Sequence, residues 1–257
     1  NTETTESMVQ LQAPLTSALG AIDLLPGVTV NEGDTFGFDD WSTTVSLRGF
    51  QTGLSEQQIG ITIDGLPNGN SNYGGGAKAN RYIDTQNMGA VAVSQGTADI
   101  ASRSNEALGG TLNFTTSDPL YEERVRVSGS IGDYDAQRMY IRYDTGAFLN
   151  DTTRMWVSAS SQSATDWMDG SAENQRDHFA AKLMSEIAGF NITSYLSYDD
   201  THEDNYQRLW SQEQYDEHPL WDELTAEWTG VPYVDQNYRK GWSTLRKNSF
   251  FLSLIHI

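Results

Sequence analysis

Gln58-Ile59-Gly60-Ile61-Thr62-Ile63-Asp64-Gly65-Leu66-Pro67 is the stretch whose reading decides the fold. Ile59, Ile61 and Ile63 alternate with Gly60, Thr62 and Asp64, the period-two pattern of a half-buried strand, and Asp64-Gly65 then ends it in a tight turn. Three further short segments have apolar residues at i and i+2 between turn-forming neighbours: Val45 to Gly49, Ala90 to Gly96 and Gly109 to Thr115. With the central strand they suffice for one small mixed sheet.

On the amino side, Leu15, Ala18, Leu19 and Ile22 fall at i, i+3, i+4 and i+7, so the periodicity predicts a helix between Gln10 and Val28, stopped by Pro26-Gly27. Asn31 to Thr44 reads as a polar loop. Beyond Pro67, residues 68 to 82 are rich in Gly and Asn. Lys78 follows Ala77 rather than closing a Gly-Lys-Ser/Thr motif, which argues against a phosphate loop. An ordinary surface connection remains the plain alternative for this segment. Ser117-Asp118-Pro119 closes the module, because proline cannot continue a ladder.

Four motifs in order, Leu24-Leu25-Pro26-Gly27-Val28, Leu47-Arg48-Gly49-Phe50, Ile63-Asp64-Gly65-Leu66-Pro67 and Ala107-Leu108-Gly109-Gly110-Thr111-Leu112-Asn113-Phe114, resemble the plug domain of TonB-dependent outer-membrane receptors. The resemblance implies a plug of small mixed α/β sheet over residues 1–119, then antiparallel strands of an incomplete transmembrane β-barrel over residues 120–257. It implies that Arg48 contacts a carboxylate on the barrel wall. A second plug arginine is expected where this chain has Gln95 within Val93-Ser94-Gln95-Gly96-Thr97, so only half of that charge cluster carries over. It also places the loops after Pro67 at the plug apex, with Tyr73, Lys78, Asn80, Arg81 and Tyr82 as substrate-binding candidates.

Past Pro119 the alternating segments lengthen. Val125, Val127 and Ile131 oppose Arg124, Arg126, Ser128 and Ser130; Met139, Ile141 and Tyr143 oppose Arg138, Tyr140, Arg142 and Asp144. Similar patterns run through 154–160, 179–187 and 192–199, and Leu245 to Ile257 reads as a sixth strand. One apolar and one polar face suits an outer-membrane barrel strand, while a soluble β-sandwich alternates in the same way. Alternation alone leaves the two open, and the plug resemblance favours the barrel. Leu149-Asn150-Asp151 and Ala188-Gly189 are short turns, whereas 166–176 and 201–243 are long, matching short periplasmic turns and long outer loops. Six strands cannot close a plugged barrel of about 22, so the sequence is expected to be a piece, trimmed also at its amino end.

Composition narrows the function classes. The 257 residues have a formal net charge of -19, from 35 acidic and 16 basic side chains, which repels a nucleic-acid backbone. The absence of cysteine excludes disulfides and thiolate metal sites. No apolar run approaches the ~18 residues of a membrane helix. The loop 201–243 mixes aromatic residues with carboxylates, which suits either sugar stacking or a small core of its own. His202, Glu203, Asp204 and His218 match no metal-binding spacing, so no metal or cofactor is expected. No nucleophile, base and orienter stand together, so an enzyme is not expected. The resemblance then implies an outer-membrane active-transport receptor of a Gram-negative bacterium. It would contact outer-membrane lipid and the TonB energy-coupling protein, and import a ferric siderophore-like or oligosaccharide substrate by plug displacement. The rival is a soluble β-rich binding or adhesion module.

Overall fold

The computed structural model describes residues 2–4, 8, 15–32, 43–53, 59–67, 82–95, 109–166, 172–204, 211–217, 219, 228–231 and 243–256. The strands in chain order are β1 (Thr2–Thr4), β2 (Val28–Asn31), β3 (Thr44–Leu47), β4 (Phe50–Gly53), β5 (Ile59–Ile63), β6 (Leu66–Pro67), β7 (Met88–Gln95) and β8 (Gly110–Thr116). They are followed by β9 (Glu123–Ile131), β10 (Gln137–Phe148), β11 (Thr153–Thr165), β12 (Glu173–Ile187), β13 (Phe190–Asp204) and β14 (Ser243–His256).

The first eight strands form two small sheets. One has the order β1-β7-β8-β5-β6, with β5 parallel to β8 and β7 antiparallel to it, so the mixed sheet expected from the sequence is present. The segment at Val45 was expected to join it. Instead β3 lies in a separate three-stranded sheet, β2-β3-β4. The reason is local: Arg48 and Gly49, with φ of 51° and 82°, make a two-residue turn that folds β4 back on β3. β3 is therefore paired on both sides by its own chain neighbours. Asp64 and Gly65, at 46° and 78°, make the same kind of turn between β5 and β6.

Two other expectations are corrected. β5 is buried at all five positions rather than on one face, because it is sandwiched inside the plug and belongs to a single core with Leu19, Ile22, Val45, Leu47, Met88, Val91, Leu112 and Phe114. The helix predicted between Gln10 and Val28 is, over its described part, a series of tight turns with one 3-10 segment, Gly20–Ile22. Ile22, Asp23 and Leu25 each donate to the carbonyl three residues back, and the Ser17 hydroxyl accepts from Leu19 and Gly20. A serine that captures these amides, with a glycine at position 20, competes with α-helical pairing. The apolar residues still reach the core: Ala18, Leu19, Ala21, Ile22 and Leu25 are all buried.

The last six strands form one antiparallel meander in chain order, β9 to β14. Each strand expected from the alternation is present. The turns at 149–152 and 188–189 lie at one end of this sheet, and the strand ends at 131 and 137, 165 and 173, and 204 and 243 lie at the other. Within the last of these, Gln212–Glu217 forms one short helix where the sequence suggested only loop.

The two faces of this meander are inverted relative to a soluble sheet. Val125, Val127, Ile131, Met139, Ile141, Phe179, Leu196 and Phe251 are exposed, at 62% for Val125 and 91% for Ile131. Arg138, Arg142, Asp144, His178, Lys182 and Asp199 are buried, because their face is covered by the first eight strands. Trp156, Ala180, Tyr195 and Leu252 from this face complete the core of the smaller module. We call the meander the wall and the module it holds the plug. Among the described residues no helix is long and apolar enough to cross a membrane, which says nothing about strands.

Candidate functional site: the seam between plug and wall

The polar contacts between plug and wall begin at residues 82–87. Asp84 precedes a 3-10 turn, Thr85–Asn87, and its carboxylate accepts from the Gln86 amide at 2.9 Å, an Asx-type cap that fixes the loop. The same carboxylate faces β10, where Arg138 Nη2 lies 2.6 Å from both oxygens, and β11, where the Ser160 hydroxyl donates at 2.6 Å. Arg138 Nη1 donates to Gln162 at 2.6 Å. Burial alone would raise the Asp84 carboxyl, but the Arg138 guanidinium and the Ser160 hydroxyl hold it well below the usual carboxylate range.

Asn87 extends the seam. It accepts from the Tyr140 hydroxyl at 2.6 Å and donates to Ser158 at 2.7 Å, while Arg126 donates to the Gln86 carbonyl and to Tyr140. On the other side, Tyr195 donates to the Tyr82 carbonyl at 2.7 Å and Arg176 reaches the Ile83 carbonyl at 3.4 Å. Five of the six plug residues 82–87 are thus gripped by four neighbouring wall strands and, through Arg126, by β9, while Thr85 donates to the Thr16 carbonyl within the plug.

A second grip closes on the end of the plug. Arg142 donates to Ser117 Oγ at 2.5 Å and to the Asp118 carbonyl at 3.2 Å, and is itself fixed by Asp144 at 2.7 and 2.9 Å. Trp156 donates to the Ser117 carbonyl at 2.8 Å, with the Arg142 guanidinium 4.6 Å above its ring. Lys182 donates to the Thr116 carbonyl at 3.0 Å and to Asp118 at 2.9 Å.

The four sequence motifs meet inside the plug. Asp64 accepts from both the amide and the hydroxyl of Thr116, at 2.8 and 2.6 Å, tying the β5 turn to the end of β8. Gly110 has φ of 132°, and a Cβ there would lie 2.2 Å from the Ser94 carbonyl and 2.9 Å from Leu47, so only glycine admits this approach between the two sheets. Arg48 sits exposed at its hairpin tip and donates through Nε to Gln95 at 2.9 Å; Gln95 in turn donates to the Pro26 carbonyl at 2.6 Å. The residue that replaces the expected second arginine is therefore the one that holds Arg48. No wall carboxylate reaches Arg48 among the described residues, and the plug–wall ion pairs there run the other way, with plug carboxylates on wall cations.

Of the apex candidates, Tyr73, Lys78, Asn80 and Arg81 lie outside the described residues, as do most of the aromatic residues of loop 201–243. Tyr82 is half-buried against the plug core and is anchored to the wall through its carbonyl. His202 pairs with Asp204 at 3.1 Å, and no group of three metal-ligating side chains stands together among the described residues. The gripping residues Asp84, Asn87, Arg138, Arg142 and Lys182 escaped sequence reasoning. For Arg138, Arg142 and Lys182 the available signal was the run of charged side chains on the polar face of the wall strands.

A plug held in an inside-out antiparallel wall defines a class of architecture, and the comparisons agree with it. Residues 2–111 match the family model described as TonB-dependent Receptor Plug Domain. That segment is a TonB-dependent receptor plug domain. The receptor FpvA of P. aeruginosa bound to heterologous pyoverdines superposes with a TM-score of 0.70 at 17% identity, over 98% of this chain and 31% of that one. The siderophore receptor PiuA of Acinetobacter baumannii gives 0.61 at 17% identity, over 82% of this chain and 28% of that one. The ferric-catecholate import receptor Fiu of E. coli K12, in its open form, gives 0.60 at 19%, over 80% and 27%. The chain thus spans about a third or less of these receptors' lengths. No curated protein matches its sequence significantly.

Proposed function

We propose that this chain is the plug and first barrel strands of a Gram-negative outer-membrane transporter that imports an iron chelate of the siderophore class, driven by TonB. The observation that carries the reading is the inverted wall: its apolar rows are exposed and its charged rows are buried against the plug. In water such a sheet would expose a broad apolar surface, whereas in a bilayer the same rows face lipid. This disfavours the soluble binding module. The siderophore class is supported by the receptors sharing the fold.

In this reading the plug ends at Pro119, and the loops after Pro67 present Tyr73, Lys78, Asn80, Arg81 and Tyr82 to substrate. Lys78 and Arg81 would offset the chain's acidity when an anionic chelate approaches. Arg48, at the hairpin tip and held by Gln95, is proposed to reach a wall strand beyond those described. TonB displaces the plug, and the seam around Asp84 and Ser117 must loosen for substrate to pass. The test is to express the full reading frame, fractionate the cells, and follow uptake of labelled ferric chelates with and without TonB. A heat-modifiable outer-membrane protein with TonB-dependent uptake is expected; a soluble periplasmic product overturns the reading.

A further inference from the structure

On the covered face of β9 to β13, between the level of Arg138 and that of Trp156, stand five buried or half-buried cations. Strand register arranges them in three tiers. Arg138 and Arg176 share the first, on either side of Gln162; Arg126 and Arg142 pair directly, four residues further towards the turns; Lys182 lies opposite Trp156, two residues beyond that. At about 3.3–3.4 Å per strand residue the tiers span roughly 20 Å, from the loop end of the sheet towards its turn end. The wall neutralises only two of the five. Asp144 takes Arg142 at 2.7 and 2.9 Å, and Asp199 takes Arg176 at 2.9 and 3.0 Å. No other carboxylate of these strands is buried within the tiers, and Glu203 lies beyond the first of them. Arg126, Arg138 and Lys182 find their oxygens on the plug instead. Arg126 donates to the Gln86 carbonyl, Arg138 to the Asp84 carboxylate at 2.6 Å, and Lys182 to the Thr116 carbonyl and Asp118 carboxylate at 3.0 and 2.9 Å. Two donors are left over: Nε of Arg126 and Nε of Arg138 are buried with no acceptor among the described residues, so each guanidinium can take a further oxygen.

We propose that Arg126, Arg138 and Lys182 form a transit site on the wall for an anionic iron chelate, occupied by plug oxygens at rest and opened to cargo when the plug moves. This role deepens the transporter reading and rests on it. In a chain of net charge -19, the three cations without a wall carboxylate are the three that the plug covers. Asp84 and Asp118 hold the places of carboxylate-type oxygens on the cargo, and the Gln86 and Thr116 carbonyls those of its neutral oxygens. Water that follows the departing plug solvates these cations but leaves their charge uncompensated. A passage with low-dielectric walls and one sign of surplus charge concentrates the opposite ion. An anionic chelate entering from the loop end then supplies the missing oxygens, first at Arg138, next at Arg126 and last at Lys182. Plug release and cargo passage are on this view an exchange of one set of oxygens for another on the same cations.

The test is made on the full-length protein in planar lipid bilayers at low ionic strength, with urea raised until the plug is released and the channel conducts. The probe is citrate, a small polycarboxylate with the chemistry of Asp84 and Asp118, added on the loop side in chloride medium. Citrate is expected to reduce the current through the released channel. The variant carrying Arg126→Gln, Arg138→Gln and Lys182→Gln should need about tenfold more citrate for the same block. Lys247→Gln, which alters an exposed lysine paired with Asp200, should leave the block unchanged. No block in the wild-type protein, or equal block in the triple variant, overturns the transit site. Should the triple variant fail to insert, Lys182→Gln is compared alone, and a block equal to that of the wild type overturns the site in the same way. A protein that takes up a ferric chelate in cells yet shows no citrate block refutes the transit site and leaves the transporter reading standing. One that never enters a membrane refutes both.

Discussion

Arg138 of the wall and Asp84 of the plug meet at 2.6 Å with both side chains almost fully removed from solvent. Neither residue belongs to a motif that marks the domain, yet this pair joins the two halves of the structure.

Truncating one partner of such a pair leaves the other charge buried alone, which costs about 3–5 kcal/mol. Asp84→Ala is therefore expected to lower the urea midpoint of the plug transition by that order. The double variant Asp84→Ala with Arg138→Met should recover a large part of the loss. Equal midpoints for the two variants would show that the pair does not hold the seam.

The Asp84 carboxyl is held below its ordinary value, so its contribution is present above the unfolded value of about 4 and is lost only as the pH falls through the depressed folded value. Acidification to about pH 4 should leave the Asp84 contact intact. Exchange protection at Gln86 that collapses near pH 4 would contradict this.

Glu32 has the opposite sign. Burial raises its carboxyl above the ordinary value, the hydrogen bond from Ser17 opposes this, and Asp23 adds to it. A raised acid contributes stability that is fully present below its unfolded value and is lost as the pH rises through its folded value. Glu32→Gln should therefore raise the plug's melting temperature at pH near 7 and leave it unchanged at about pH 3.5. A variant that melts lower at neutral pH would sink the assignment.

Gly110→Ala places a methyl 2.2 Å from the Ser94 carbonyl at a backbone angle that alanine rarely adopts. The loss should be about 3 kcal/mol or more, the range of a severe core defect. Gly65→Ala, where nothing lies within 4 Å, is expected to cost only the strain of its positive φ, about 1 kcal/mol. Comparing the two midpoints separates close approach from backbone strain.

Val127→Lys and Ile141→Lys each put a charge on the exposed apolar rows. If those rows face lipid, each should weaken folding into vesicles by roughly 2–4 kcal/mol at mid-bilayer depth. A wall that faces water would gain solubility instead, so a neutral or improved yield of folded protein argues against membrane insertion.

The strands were legible because alternation and turn residues are local properties. Asp64-Gly65 and Ala188-Gly189 each supply the two positive φ angles of a tight hairpin, and sequence reading located both. The sense of the wall was not legible, because alternation defines two faces without saying which is covered. Only the plug seated against Arg138, His178 and Lys182 decides it. Local competition defeated the helix reading: Leu15, Ala18, Leu19 and Ile22 keep helical spacing, but the Ser17 side chain captures the amides that an α-helix would use. Asp84 was passed over because its significance depends on Arg138 and Ser160, far along the chain. The turn it caps was visible only as an Asp two residues before a Gln.

The central pairing of the plug also orders its assembly. β5 takes its parallel partner from β8, and the hydrogen bond between Thr62 and Asn113 spans 51 positions of chain. A strand so placed waits for a distant segment, and such long-range closure is the slow part of folding. β8 runs within seven residues into the first wall strand, and Arg142, Trp156 and Lys182 seize its end. The segment that completes the plug sheet is thus the same one the wall holds, so the pairing of β5 with β8 and the docking of the plug on the wall share one short stretch of chain.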